Sequence, residues 1–245
     1  MDQLLNLADD RLINGCLYCG GKAETRDHVP SRIFLEAPFP DNLPVVGACK
    51  KCNQAFSLDE QYLVCLLECV LAGTTDPKII KNPKIARTLE RSPALKNRIE
   101  TAKFINKDKI FFNIEEDRVK NVMLKLAKGH AAFELSLPCT NKPDFYWCNA
   151  LENLDKDIRE IFNSAHIQQL IGEIGSRNMQ RMFATEILLQ SDSGDQKRQQ
   201  LLVNDWIEVQ EGYYRYLAIS DVGGIVIRIV IFEYLACEVG WKVEC

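Results

Sequence analysis

Four cysteines in two close pairs, Cys16-Leu17-Tyr18-Cys19 and Cys49-Lys50-Lys51-Cys52, constrain this chain more than any other feature it carries. Two such steps bring four thiolates within reach of one tetrahedral Zn2+ ion, and a closed four-thiolate site is a structural staple. Gly20-Gly21 directly after the first pair allows the tight turn that two neighbouring thiolates need. A plain zinc ribbon separates its pairs by about 15 to 20 residues. Here 29 positions separate Cys19 from Cys49, so a further element is inserted between them.

The rest of the composition sets the context for that staple. Hydrophobic residues make up 47% of the 245 residues and charged ones 26%, a globular composition that excludes a disordered chain. The length suits a small metal-stapled module plus a larger domain. There is no membrane-length apolar run, and the N-terminus carries Asp9 and Asp10 in place of a basic leader, so a cytoplasmic protein with no membrane partner is expected. Ten cysteines in a reducing compartment read as thiols and metal ligands. Cys65, Cys69 and Cys237 lie in apolar patterns and read as core; Cys139, Cys148 and Cys245 follow no pattern.

The expected fold class is α+β: a zinc-stapled N-terminal module over residues 1–75, a basic helical arm over 76–110, and a mixed helical and antiparallel β domain over 111–245. In the first module, short strands are expected around Arg26–Val29 and Val45–Val46, separated by a proline-rich loop. A helix should run from the second cysteine pair to about Leu71, because Phe56, Leu63, Leu66, Leu67 and Val70 recur at helical spacing, with Gly73 stopping it. Pro83 and Pro93 should split the basic arm into short helices. A helix over Val119–Ala127 is expected to end at Gly129, and Asn153–Gln190 reads as mostly helical with an interruption around Gly172 and Gly175, followed by a loop at Ser191–Asp195. The remainder reads as an antiparallel meander whose last stretch is Ile225–Ala236, and within it the run Ile225–Ile231, apolar on both faces except at Arg228, is expected to be the central strand.

Charge is segregated along the chain. Between Asp76 and Ile110 ten Lys and Arg, Lys78, Lys81 and Lys84 among them, face only Asp76, Glu90, Glu100 and Asp108, a local balance of +6 within a chain of net −4. Such a segment beside a metal site suits nucleic-acid phosphates; its plainer reading is a solvated helix face. Residues 111–245 carry −6. They are therefore no general nucleic-acid grip, and a specificity, ligand-sensing or dimerisation role, or the docking of a partner protein, is expected of them.

Between and just beyond the cysteine pairs stand Asp27-His28, Asn42-Leu43 and Asn53, the last directly after Cys52. With the four-cysteine frame around them, these residues resemble the HNH endonucleases, the ββα-metal nucleases, over roughly residues 12–72. The resemblance implies that the surplus between the pairs is a ββ hairpin. It further implies a metal-dependent DNA endonuclease in which Asp27 and Asn53 hold a catalytic Mg2+ or Mn2+, His28 is the general base, Asn42 orients the base, and Cys16, Cys19, Cys49 and Cys52 hold structural Zn2+.

The chemistry explains these residue types. Phosphodiester hydrolysis needs an activated water, a Lewis acid on the phosphate and relief of charge on the leaving oxygen. An imidazole can accept a proton at neutral pH, and hard oxygen ligands suit Mg2+ or Mn2+. Arg26 and Arg32 flank the motif and could clamp a phosphate. The sequence departs from the family pattern at Gln54 to Glu60, which lack its usual basic residue, and at Ser57, where some members carry a third metal-binding histidine. Asp59 and Glu60 read as helix-surface carboxylates, and His130 and His166 as structural. Alternative readings are a non-catalytic zinc module that binds nucleic acid or protein, and a nuclease directed at RNA. A small nuclease with an unfamiliar partner domain suggests, by analogy alone, a bacterial defence or mobile-element role.

Overall fold

A computed structural model of the chain describes residues 15–107, 109–190 and 196–242; Cys245 and the loop expected over Ser191–Asp195 lie outside them. Contacts divide the chain into two compact units, one of Met1–Cys49 with Leu126–Cys245 and the other of Lys50–Lys125. The expected boundaries at residues 75 and 110 both fall inside the second unit.

In chain order, strands β1 (Thr25–His28) and β2 (Val45–Ala48) lead into helix α1 (Lys50–Ala72). Helices α2 (Pro83–Arg91) and α3 (Pro93–Ala102), strands β3 (Lys103–Asn106) and β4 (Lys109–Phe112), and helix α4 (Glu116–Leu135) follow. Then come β5 (Phe145–Ala150), α5 (Lys156–Asn163), β6 (His166–Gln168), α6 (Arg177–Arg181), β7 (Phe183–Gln190), β8 (Gln196–Asn204), β9 (Ile207–Gln210), β10 (Tyr214–Asp221), β11 (Gly224–Ile231) and β12 (Leu235–Trp241). All strand pairs are antiparallel, so the architecture is mixed α+β.

The first unit is organised on a five-stranded sheet of order β5-β12-β11-β10-β9. Its centre is β11, as the two-sided apolar pattern requires: Ile225, Ile227, Ile229, Val230 and Ile231 are all buried. Arg228, the one charge in the run, donates from Nε to Glu238 Oε2 at 2.6 Å on the position opposite in β12. The expected central run Ile225–Ile231 lies within β11; the stretch on to Ala236 does not continue it, because Phe232 and Glu233 take φ of 57° and 48° and fold the chain back into a tight hairpin. From α4, the fully buried His130 places Nε2 2.8 Å from the Tyr214 hydroxyl and stacks on Tyr216 at 3.7 Å between centroids.

Two expectations about helices fail here. Gly129 does not stop α4, which continues to Leu135. Its role is close approach: a Cβ at Gly129 would stand 2.5 Å from Cγ2 of the fully buried Val29. Asn153–Gln190 is helical only in α5 and α6, and Phe183–Gln190 is a strand paired along its whole length with β8. Short apolar runs fit either period, and the partner strand decides between them.

In the second unit α1 packs with α2, α3 and β4. Burial is nearly all-round from Glu60 to Cys69. At its end Gly73 takes φ 66°, and the N–H groups of Gly73 and Thr74 bond the carbonyls of Val70 and Cys69 at 3.1 Å each, a Schellman cap. Pro83 and Pro93 open α2 and α3, where a missing N–H costs nothing. No helix among the described residues is long and apolar enough to cross a membrane.

Glu60 is a correction to the surface reading. It is buried, with Oε1 2.6 Å from Nζ of Lys125, itself only 2% exposed. Asp59 stays at the rim, accepting from Asn121 Nδ2 at 2.7 Å. Removing one member of a buried pair strands the other charge, so Glu60→Gln is expected to cost about 3–5 kcal/mol. Urea unfolding should show a lowered midpoint at unchanged m value, and adding Lys125→Met should recover most of the loss. A Glu60→Gln midpoint equal to that of the wild type would refute the pair's role.

Candidate functional site

The Sγ atoms of Cys16, Cys19, Cys49 and Cys52 all lie within 4.8 Å of one another. Four sulfurs at the usual Zn–S distance of about 2.3 Å sit about 3.8 Å apart around a tetrahedron, and Cys19 and Cys49 stand at 3.8 Å. The set fits a closed structural Zn2+ site. Local backbone builds it: the Cys16 N–H bonds the Gly21 carbonyl at 2.6 Å, the Gly20 N–H bonds the Cys16 carbonyl at 2.8 Å, and Gly20 takes φ 73° to close the loop.

Thiol acidity separates Cys16 from the buried core cysteines. Burial works to raise the Cys16 thiol, yet hydrogen bonds from the backbone N–H groups of Cys49, Tyr18 and Cys19 outweigh it and bring the thiol down to about 7. Burial pushes Cys65, Cys69 and Cys139 up to about 12, and Cys237 well above its ordinary value. Zinc binds the thiolate. Cys16 is prepared to supply one; the core thiols are not.

Between the cysteine pairs, β1 and β2 form a two-stranded ribbon in which Asp27 pairs with Val46 and His28 with Val45. Successive residues of a strand point to opposite faces, and cross-strand partners share one. Asp27, 6% exposed, lies on the inner face with Val46 and Val29, which pack with Leu17, Ala132 and Phe133; its Oδ2 accepts the Tyr18 hydroxyl at 2.6 Å. The half-buried His28 lies on the other face with Val45. Asp27 and His28 thus lie on opposite faces of the ribbon at the C-terminal end of β1, of which His28 is the last residue.

A cleft of about 510 Å³ is lined by Val45, the cross-strand partner of His28, while His28 itself is not among its lining residues. Asn42, exposed on the loop that returns to β2, lines it as well, together with Phe133, Arg177, Arg181, Glu208 and Tyr216. The Arg177 guanidinium lies over the Phe133 ring at 4.1 Å. Arg181 is held by Glu134, whose Oε1 is 3.2 Å from its Nη1 and also accepts the Tyr216 hydroxyl at 2.6 Å. Burial pushes the Glu134 carboxyl up, against the downward pull of Arg181 and the Tyr216 bond. Of these residues the sequence singles out only Asn42; Arg177, Arg181 and the Glu134 that holds Arg181 carry no signal in it. The two arginines stand on a one-turn helix too short to show a period, far along the chain from the motif they adjoin.

The remaining expected residues are spread more widely. Asn53 is half-buried in the first turn of α1, directly after Cys52. Arg26 is exposed on β1, and the exposed Arg32 places its guanidinium 5.5 Å from the Phe39 ring centroid. Lys78, Lys81 and Lys84 are exposed in the second unit, at and before the start of α2. Compared with protein-family models, with curated proteins and with solved structures, the chain matches none.

Proposed function

We propose that this protein is a metal-dependent endonuclease of the HNH kind that hydrolyses phosphodiester bonds in DNA. The observation that carries the reading is the order of parts inside the four-thiol frame. A strand ending in Asp27-His28 pairs with the strand that follows the Asn42 loop, and the next helix carries Asn53 in its first turn.

Asp27 and Asn53 offer a carboxylate and an amide oxygen, a donor set suited in kind to Mg2+ or Mn2+. When bound, such an ion supplies a Lewis acid at the phosphate and relieves charge on the leaving 3′ oxygen. His28 accepts the proton of the attacking water, Asn42 orients the imidazole, and Arg177 and Arg181 give the cleft a cationic wall for the phosphates of the bound strand.

The bond from the Tyr18 hydroxyl to Asp27 favours one further reading. In it the buried carboxylate is a strut of the zinc module, which then binds nucleic acid or protein without cutting. Zinc-loaded protein incubated with supercoiled plasmid and Mn2+ or Mg2+ is expected to release nicked circles. A plasmid that stays supercoiled in both ions, with a structured RNA also left intact, refutes the endonuclease reading; RNA cleaved while DNA is spared moves the substrate to RNA.

A further inference from the structure

Strands β3 and β4 form a two-stranded sheet of their own. Their register pairs Phe104 with Phe111 and Asn106 with Lys109 on one face, and Lys103 with Phe112 and Ile105 with Ile110 on the other. The second face is anchored only at its base, where Lys103 and Phe112 are half-buried and Ile110 Cδ1 lies 3.6 Å from where a Cβ on Gly73 would stand, while Ile105 above it is 70% exposed. The first face is open as well. Phe104 and Phe111 stack at 5.6 Å with 22° between their planes, and each is 42% exposed. A lone two-stranded hairpin is marginal in water, and holding two stacked aromatic rings in solvent makes it more so.

Charge identifies what covers those rings. Lys109 shares their face, Lys103 and Lys107 belong to the same hairpin, and the two helices that lead into it carry Lys84, Arg87, Arg91, Lys96 and Arg98. The segment from Asp76 to Ile110 totals +6. An apolar protein surface calls for no such field, whereas a polyanion does. Flat exposed rings set among cations match a nucleic acid whose base faces are uncovered, and a closed duplex hides those faces in its stack.

We infer that the β3–β4 hairpin is a single-strand-binding element: unpaired bases stack on Phe104 and Phe111 while Lys109 and the neighbouring basic residues take the flanking phosphates. The inference rests on the reading of nucleic acid as substrate and narrows it to DNA with single-stranded character, such as gaps, flaps or melted segments.

Fluorescence anisotropy with a labelled oligo-dT of about 20 nucleotides, and with the matching duplex, tests this in the absence of Mg2+ and Mn2+. The single strand should bind more tightly than the duplex. Phe104→Ala and Phe111→Ala should each weaken it by about fivefold to a hundredfold at an unchanged salt slope. Lys109→Ala should make that slope shallower. Phe104→Trp should retain affinity while Phe104→Leu loses it, which separates ring stacking from apolar docking and from misfolding.

Single-strand affinity that survives in both the Leu and Ala variants overturns the inference. So does a solution dimer of the wild type that Phe104→Ser dissociates while DNA binding is unchanged, since the face would then join two copies of this chain. Oligonucleotide binding lost in the Phe variants, with no plasmid cleavage by the wild type, upholds the hairpin and removes only the nuclease reading. Cleavage with unchanged binding in the Phe variants does the reverse.

Discussion

Stripping zinc from this protein is expected to unfold its N-terminal part, and Cys16→Ser is expected to do the same without any chelator. The strands there are only four residues each, and the apolar cluster beneath them is small: Leu17, Val29, Val46, Ala132 and Phe133. Against that modest core, structural zinc contributes apparent binding energies of about 10–16 kcal/mol in small zinc modules, pH-dependent because the thiols must ionise. Cys16 is the most telling position because it is 2% exposed, sits within the four-sulfur cluster and has its thiol drawn down to about 7.

Metal analysis should find one zinc per chain in the wild type and well under one in Cys16→Ser. A loss of about 5 kcal/mol would lower Tm by roughly 10–20 °C in a domain of this size. Cys65→Ser provides the control. That thiol is buried, pushed up to about 12 and outside the cluster, so its substitution should leave the zinc content intact. Full zinc content in Cys16→Ser, or an unchanged Tm after metal removal, would contradict the staple.

How much of this was legible beforehand depends on how local the determinant is. The cysteine cluster, the helix opening at the second pair, its stop at Gly73 and the starts of α2 and α3 at Pro83 and Pro93 are set by residues within a few positions of the feature. The sequence therefore announced them. Gly129 misled because its reason lies in Val29, a residue remote along the chain that needs the room. Phe183–Gln190 misled because β8, its partner, selects strand over helix. Glu60 misled because Lys125 buries it.

The site divides the same way. Among the residues proposed for the site, Asp27, His28 and Asn42 lie between the cysteine pairs and Asn53 directly after the last cysteine, so type and spacing alone single them out. Arg177 and Arg181 have no such frame, and only the fold carries them to the cleft lined by Asn42 and Val45. The inward turn of Asp27 toward Tyr18 is likewise a matter of strand register, which no reading of residue types contains.

Replacing His28 with alanine is expected to lower the plasmid-nicking rate by about 10²–10⁴-fold, the range that a positioned general base contributes. The residue is half-buried at the end of β1 and is no member of the zinc cluster, so zinc content and Tm should stay close to wild type. That separation makes the variant informative, because a structural histidine would lower Tm together with rate. Added imidazole should recover part of the rate in His28→Ala, since the small base can occupy the space the ring leaves.

Asp27→Asn asks a different question. The amide oxygen can still accept the Tyr18 hydroxyl, so the strut survives while the charge is lost. If Asp27 holds the divalent ion, the variant should need more Mn2+ to reach its maximal rate; a strut would leave the Mn2+ dependence unchanged. Nicking by His28→Ala at the wild-type rate would remove His28 as the base, whatever Asp27→Asn does.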